Sequence, residues 1–277
     1  MMVTSPSNTQ VKRVRSLLRR KERDKTRLFL VEGARMVAMA LEARATLDTI
    51  VCCRPLLSRY AYHVLDQARQ RQAARRLEVT QDVFASISRN HAYQGIAAVV
   101  RQRWWSLDSL APSAGLCWVA ASAVQCPANL GTILRVSDAA AGAGVILIGS
   151  SADPYAPEAV QSSVGAVFTQ KIVRATLPEF AESARRGGFN VVGTSPDGSA
   201  DYRDAVYRPP LILLMGNERT GLPPEQQSLC DVTVKIPMLG RMDSLNVAVA
   251  TGIVLYEALR QREACIGYGA DRTSPAR

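Results

Sequence analysis

Histidine is almost missing from this chain: of 277 residues, only His63 and His91 are histidines. The six cysteines, at 52, 53, 117, 126, 230 and 265, include no C-x-x-C pair and have no histidine-rich neighbouring segment. Zinc sites need three or four such ligands at set spacings, so no metal is expected. The cysteines read instead as reduced, buried or incidental thiols of a cytoplasmic protein. Long apolar runs are lacking too. The longest stretches, such as Gly115 to Val124, fall well short of a bilayer span, so no membrane partner is expected. The opening stretch MMVTSPSNTQVKRVRSLLRRKERDK is polar and basic without an apolar core, which argues against a secretory signal. There is no internal repeat. A P-loop and a G-x-G-x-x-G turn are also absent, which sets aside a nucleotide-binding oxidoreductase.

Acidic residues are scarce in one half only. Residues 1–105 hold 20 Lys and Arg against 8 Asp and Glu, a net of +12. Residues 106–277 hold 14 against 16, a net of −2, and together these make the +10 of the whole chain. The excess peaks between Lys12 and Arg27. A charge run alone is more often a solvated helix face than a binding site. Its confinement to one half points to a polyanion, since each phosphate neutralised releases counterions.

The pattern along the chain is strand–helix alternation in two blocks. In the first, a basic helix from Asn8 to about Arg23 precedes strands at Leu28–Val31, Asp48–Cys53, Leu77–Val79 and Gly95–Val100. Helices between them run to about Ala43, over Pro55–Arg71, and from Thr80. These suggest a small α/β domain over 1–105. Residues 106–115 form the linker, and Trp104 and Trp105 before it are expected to pack at the junction rather than to stack on bases. From 116 to 265 strands are expected at Leu116–Ala120, Val145–Gly149, Thr169–Val173, Asn190–Thr194, Leu211–Met215 and Val232–Ile236. Helices are expected at Leu130–Ala141, Pro157–Ser163, Leu177–Arg186 and Leu245–Arg262. A mostly parallel sheet covered on both faces follows. The last helix is apolar over a wide arc through Leu245, Val249, Gly252, Ile253, Tyr256 and Leu259, which suits burial on two sides, within the domain or against a second subunit. Residues 266–277 read as a disordered tail.

Three expected strand ends carry unusual loops: Thr194-Ser195-Pro196, Gly216-Asn217-Glu218 and Ile236-Pro237-Met238-Leu239-Gly240. Ligands in open α/β sheets bind at the carboxyl ends of strands. Three such loops, followed by a polar helix start at Ser244, favour a pocket over mere tight connections, while spacing leaves its ligand open. The segments Asn129-Leu130-Gly131-Thr132-Ile133-Leu134-Arg135, Gly216-Asn217-Glu218-Arg219-Thr220-Gly221 and IPMLGRMDSLNVAVATG (236–252) together resemble the motif set of the SpoU (TrmH) family of RNA ribose 2′-O-methyltransferases. The resemblance spans most of 115–262. It implies an α/β domain with a deep trefoil knot of the SPOUT type, S-adenosyl-L-methionine as cofactor, and a homodimer formed through the C-terminal domain.

Carried across residue by residue, the resemblance assigns the cofactor site to Thr194, Gly216, Ile236, Met238 and Leu245. Arg135 matches the proposed activator of the ribose hydroxyl. Arginine is a poor base, so binding the adjacent phosphate and stabilising the forming alkoxide is the alternative role. Asn129, six residues earlier and in phase on the helix, would orient Arg135 or serve as an N-cap. Glu218 would anchor Asn129 or the helix start. Ser244 and Asn246 would hold the cofactor loop and contact substrate, with Ser244 equally a natural helix cap. Cys126 before Pro127, and Arg219-Thr220, depart from the common family residues. Asn8, Phe29-Leu30-Val31-Glu32-Gly33 and Gln94-Gly95 resemble the ribosomal-protein-like substrate-binding domain of two-domain members. Such members usually modify large-subunit rRNA, so RNA, and 23S rRNA in particular, is the expected partner. A non-catalytic RNA-binding or ribosome assembly protein on the same fold is the alternative, against which the retained motif residues speak.

Overall fold

A computed structural model describes residues 2–71, 74–89, 93–110 and 117–266. The expected tail beyond 266 and the linker positions 111–115 lie outside the described residues. Contacts group the chain into two compact units. One comprises Met1–Trp104, Cys126–Arg135 and Ala152–Ile172; the other comprises Trp105–Gln125, Val136–Ser151 and Val173–Arg277.

The N-terminal stretch opens with helices α1 (Thr9–Ser16) and α2 (Arg20–Thr26). It continues through β1 (Leu28–Glu32), α3 (Ala34–Glu42), β2 (Leu47–Cys52), α4 (Arg59–Gln70), β3 (Arg75–Glu78), α5 (Gln81–Ala85) and β4 (Ile96–Arg101). The sheet order is β1-β4-β2-β3, antiparallel except for the parallel β2–β3 pair. Val11 and Val14 of α1, with Leu17 just after it, belong to one buried cluster with Leu77, Val99 and Val51 of the sheet. The single basic helix expected over 8–23 is broken at Leu17–Arg19, and Arg23 explains the break. Its guanidinium is buried, and Nη1 donates to the carbonyls of Leu17 (2.9 Å) and Leu18 (3.0 Å), which a continuous helix would have used internally.

The same Arg23 donates from Nε to Asp153 at 2.8 Å, both side chains being nearly fully buried. Asp153 in turn accepts the backbone N–H of Tyr155 at 2.9 Å. Tyr155 packs on Phe29 (4.7 Å between ring centres) and edge-on to Trp104 (5.2 Å). Its hydroxyl donates to the Arg103 carbonyl at 2.6 Å. The residues 152–172 are therefore fastened to the N-terminal sheet by ring packing and a buried ion pair. Trp104 thus packs inside this unit, while Trp105 pairs with Val173 in the other.

The second block runs β5 (Cys117–Ser122), α6 (Pro127–Ala139), β6 (Gly144–Ile148), α7 (Pro157–Ser163), α8 (Ala166–Thr169), β7 (Lys171–Ala175) and α9 (Leu177–Arg186). Then follow β8 (Asn190–Thr194), β9 (Ala200–Asp201), β10 (Leu211–Met215), α10 (Pro224–Gln227), β11 (Val232–Lys235) and α11 (Val247–Ile266). Seven strands line up as β7-β6-β5-β10-β8-β11-β9, with parallel registers from β6 to β9. Every residue of β6 and β10 is buried, as central parallel strands require. The α/β architecture with a parallel C-terminal sheet is as the alternation implied. Helix α11 buries Val247, Ala248, Thr251, Val254, Leu255 and Ala258. Val249 (51% exposed) and Tyr256 (49% exposed), two members of the arc singled out in the sequence, stand on the opposite side.

The five cysteines with described side chains form no disulfide. Burial pushes the Cys117 thiol up to about 12 and the Cys230 thiol up to about 11. Cys126 is the exposed one among them. Brief alkylation with iodoacetamide near neutral pH is expected to label Cys126 well ahead of 52, 53, 117 and 230, read by peptide mass spectrometry. Equal labelling of Cys117 would contradict this packing.

Candidate active site

The carboxyl ends of β8, β10 and β11 adjoin one another in the sheet, so the loops that leave them converge. Between them lies a cleft of about 500 Å³, within the range of small-molecule sites. Its wall includes Thr194, Ser195 and Pro196 after β8; Met215 to Glu218 after β10; Val234 to Met238 around the end of β11; and Asp243, Ser244, Leu245, Val247 and Ala250. Thr194, Gly216, Ile236, Met238 and Leu245, picked out in the sequence, thus meet in one place, together with Glu218 and Ser244.

The β10 loop is rigid for identifiable reasons. Asn217 and Gly221 exchange both backbone hydrogen bonds (3.0 and 3.1 Å). The Asn217 side-chain oxygen accepts the N–H groups of Arg219 (2.9 Å) and Thr220 (3.3 Å). Its Nδ2 donates to the Ala123 carbonyl at 2.7 Å, tying the loop to the end of β5. Sequence reading assigned Asn217 no role. The available signal was an Asn opening a tight turn, which favours such side-chain to backbone bonds. Gly216 must be glycine because a Cβ there would lie 2.3 Å from the Gly221 carbonyl carbon. Gly216→Ala is expected to cost about 1–3 kcal/mol by overpacking, measured by denaturant unfolding. A loss below the error of that measurement would mean the turn can open.

Glu218 Oε2 accepts the Gln125 backbone N–H at 3.2 Å, two residues before α6 begins. This bond is a contact to the approach of the helix, one of the two roles considered for Glu218. Helix α6 itself starts at Pro127, three residues before the expected Leu130, which places Asn129 inside its first turn rather than at its cap. Six residues turn a helix by about 600°, so Asn129 and Arg135 point about 120° apart and are not in phase. Leu130, Ile133 and Leu134 are buried, Arg135 is exposed, and Arg135 makes no hydrogen bond or ion pair among the described residues. Gly131 allows α6 to approach α7 closely: a Cβ would lie 2.2 Å from the Ala159 carbonyl oxygen. Both Asn129 and Arg135 belong to the first unit, whereas the cleft is lined wholly by the second.

Helix α11 starts at Val247 rather than Leu245, and its cap is Asn246 rather than Ser244. The Asn246 oxygen accepts from the N–H of Ala248 (2.9 Å) and Val249 (3.4 Å). Ser244 instead donates to the Asp243 carboxylate at 3.1 Å. The shift lets Leu245 and Ser244 line the cleft as loop residues. Asn246 is not among the cleft's lining residues. From Ile236 to Leu245 the backbone makes no hydrogen bond to other backbone among the described residues. Its N–H and C=O groups must be satisfied by water or by a ligand. Apolar Met215, Val234, Ile236, Met238 and Leu245 beside those groups suit a purine ring read by backbone atoms, and Glu218 and Asp243 suit a cationic substituent. No group of His, Cys, Asp and Glu that could hold a metal occurs among the described residues.

Comparison with known proteins fits this geometry. The SpoU rRNA Methylase family model matches residues 117–256, and the MRM3-like substrate binding domain matches residues 8–98. The 23S rRNA (uridine(2479)-2′-O)-methyltransferase of Streptomyces viridochromogenes is 34% identical over 88% of this chain and 86% of its own. The 23S rRNA (guanosine(2553)-2′-O)-methyltransferase of Bacillus subtilis is 30% identical over 92% and 97%. The crystal structure of an AdoMet-bound rRNA methyltransferase from Sinorhizobium meliloti superposes with a TM-score of 0.86 at 39% identity, covering 94% of this chain and 98% of that one. With a family match over half its length and a shared fold over 94% of it, this chain belongs to the SpoU rRNA methylase family.

Proposed function

We propose that this protein is an S-adenosyl-L-methionine-dependent methyltransferase that modifies a ribose 2′-hydroxyl of 23S rRNA in the cytoplasm. The observation that carries the reading is the convergence of Thr194, Gly216, Ile236, Met238 and Leu245, up to 51 positions apart in sequence, on one cleft. The cofactor and substrate class are supported by relatives whose names specify rRNA and AdoMet. When bound, S-adenosylmethionine supplies an electrophilic methyl group. The strand-end loops hold it, mainly through backbone groups that the fold leaves unsatisfied. Arg135 binds the phosphate beside the target ribose and, remaining protonated, stabilises the negative charge that develops on the 2′-oxygen while the hydroxyl proton passes to solvent water. Asn129 and Glu218 keep the start of α6 in place for that task, and Ser244 and Asn246 fix the loop that enters α11. The deep trefoil knot belongs to the same proposal; β10 returning between β5 and β8 supports it. So does a homodimer through the C-terminal domain, which the exposed apolar face of Val249 and Tyr256 supports.

The test is transfer of labelled methyl to 23S rRNA fragments, with the modified nucleotide mapped. Incorporation at a ribose 2′-oxygen is expected; incorporation at a base, or none, would overturn the reading. The basic N-terminal residues 1–105 are assigned to RNA binding. Replacing Lys12, Arg15 and Arg19 by alanine is expected to lower the slope of log K against log salt by roughly 2 to 3, since each phosphate contact contributes about 0.7–0.9. An unchanged slope would remove those residues from the RNA interface.

A further inference from the structure

On the N-terminal sheet, a second hollow of about 240 Å³ lies between one flank of α1 and the starts of β2 and β3. Gln10 and Arg13 of α1 and Leu17 just after it face the hollow, with Thr49 of β2 and Arg75 and Leu77 of β3. Its acid is already engaged: Asp48 accepts from Arg13 Nη2 at 3.2 Å and from the Thr49 hydroxyl at 2.8 Å. Arg75 is exposed and has no ion-pair partner among the described residues. Leu17 and Leu77 are buried members of the domain core, so the bottom of the hollow is apolar and its rim cationic. This is neither the cofactor cleft nor a solvated charge run. An apolar hollow ringed by guanidinium groups combines a face for a planar ring with donors for the phosphate next to it.

We infer that this hollow takes one unpaired nucleotide of the RNA substrate, its base in the hollow and its flanking phosphate on Arg13 and Arg75. The inference rests on the proposed RNA-modifying function and adds where, and in what form, the N-terminal domain grips the RNA. The occupant is nucleic acid because the surrounding 105 residues carry a net of +12. It is unpaired because a base stacked within an A-form helix presents no free ring to a hollow of this size, while a loop or bulge nucleotide does.

The experiment measures binding to the full-length protein by fluorescence anisotropy. The probes are a labelled single-stranded oligoribonucleotide, a duplex with the same number of phosphates, and an abasic strand of the same length. Thr49→Trp fills the hollow without changing charge. It is expected to weaken single-strand binding roughly tenfold, on the scale of one base-stacking contact, and to leave duplex binding unchanged. Arg75→Ala is expected to weaken binding of both RNA forms and to lower the salt slope by about 0.7. Lys21→Ala, on α2 away from the hollow, is expected to weaken both RNA forms equally and modestly. Unchanged single-strand binding by a Thr49→Trp protein that still binds S-adenosylmethionine would overturn the inference. So would a duplex that loses as much affinity as the single strand. Wild-type protein that binds the abasic strand as tightly as the intact one overturns it without any substitution. Methyl transfer separates the two readings. A wild-type protein that discriminates these RNAs through Thr49 yet methylates nothing refutes the catalytic reading and keeps the hollow. An active enzyme whose KM for RNA ignores Thr49→Trp refutes the hollow alone.

Discussion

Arg135→Ala is expected to lower kcat for methyl transfer by about 10²–10³-fold, the usual cost of removing one preorganised donor to a developing oxyanion. Affinity for S-adenosylmethionine, measured by calorimetry, is expected to stay unchanged, because the cleft is lined by the second unit and Arg135 is not part of its wall. The fold should not suffer either. Arg135 is exposed and forms no hydrogen bond or ion pair among the described residues, so its loss leaves no buried group unpaired. Its neighbours Ile133 and Leu134 carry the packing of that turn. Lysine at this position keeps the charge but not the planar, two-pronged donor set that suits a phosphate, so Arg135→Lys is expected to recover only part of the activity. Full activity in the alanine variant would remove Arg135 from the chemistry. A parallel fall in cofactor affinity would instead make it a structural residue.

The sheet was legible where sequence supplied hard punctuation. Strand β10 ends as expected because an apolar run of five is bounded by Pro210 and Gly216. Helices α7 and α9 match their expected bounds because Pro157 and the Thr176–Glu179 capping box mark the first turn of each. What failed was decided by contacts between distant residues. Nothing local to Arg23 says that its guanidinium will turn inward and cap Leu17 and Leu18, so one helix was expected where there are two. Two-residue β9 has no pattern of its own and exists only because β11 offers an edge. At α11, serine and asparagine compete for the same capping role. Asn246 prevails, and the cleft takes Ser244 and Leu245. The cleft itself was legible because glycine and proline stand at the ends of three strands. The role of Asn217 was not, since its partner Ala123 is 94 positions away.

Asp153→Ala is expected to destabilise the protein by about 3–5 kcal/mol, because it strands the buried Arg23 charge. The pair is not a surface ion pair of the kind that contributes little: its side chains are 4% and 3% exposed, and both ends are tied to backbone. Asp153→Asn retains an acceptor for Arg23 Nε and is expected to lose less. Replacing both residues with apolar ones, Arg23→Met with Asp153→Leu, is expected to recover much of the stability, since the desolvation cost of both charges disappears. Whether that double variant also restores RNA binding is the sharper question. The carbonyls of Leu17 and Leu18 would lose their donor, and with it the break that sets α1 and α2 at separate angles. Restored stability with weakened RNA affinity is therefore expected, which would make the ion pair a device for orienting the basic helices rather than for holding the fold together. The same contacts show why a chain cut at residue 105 is a poor test of RNA binding: it would strip Arg23 from Asp153 and Phe29 from Tyr155. Denaturant unfolding decides the first step, and a loss under about 1 kcal/mol for Asp153→Ala would mean that the pair is solvated after all.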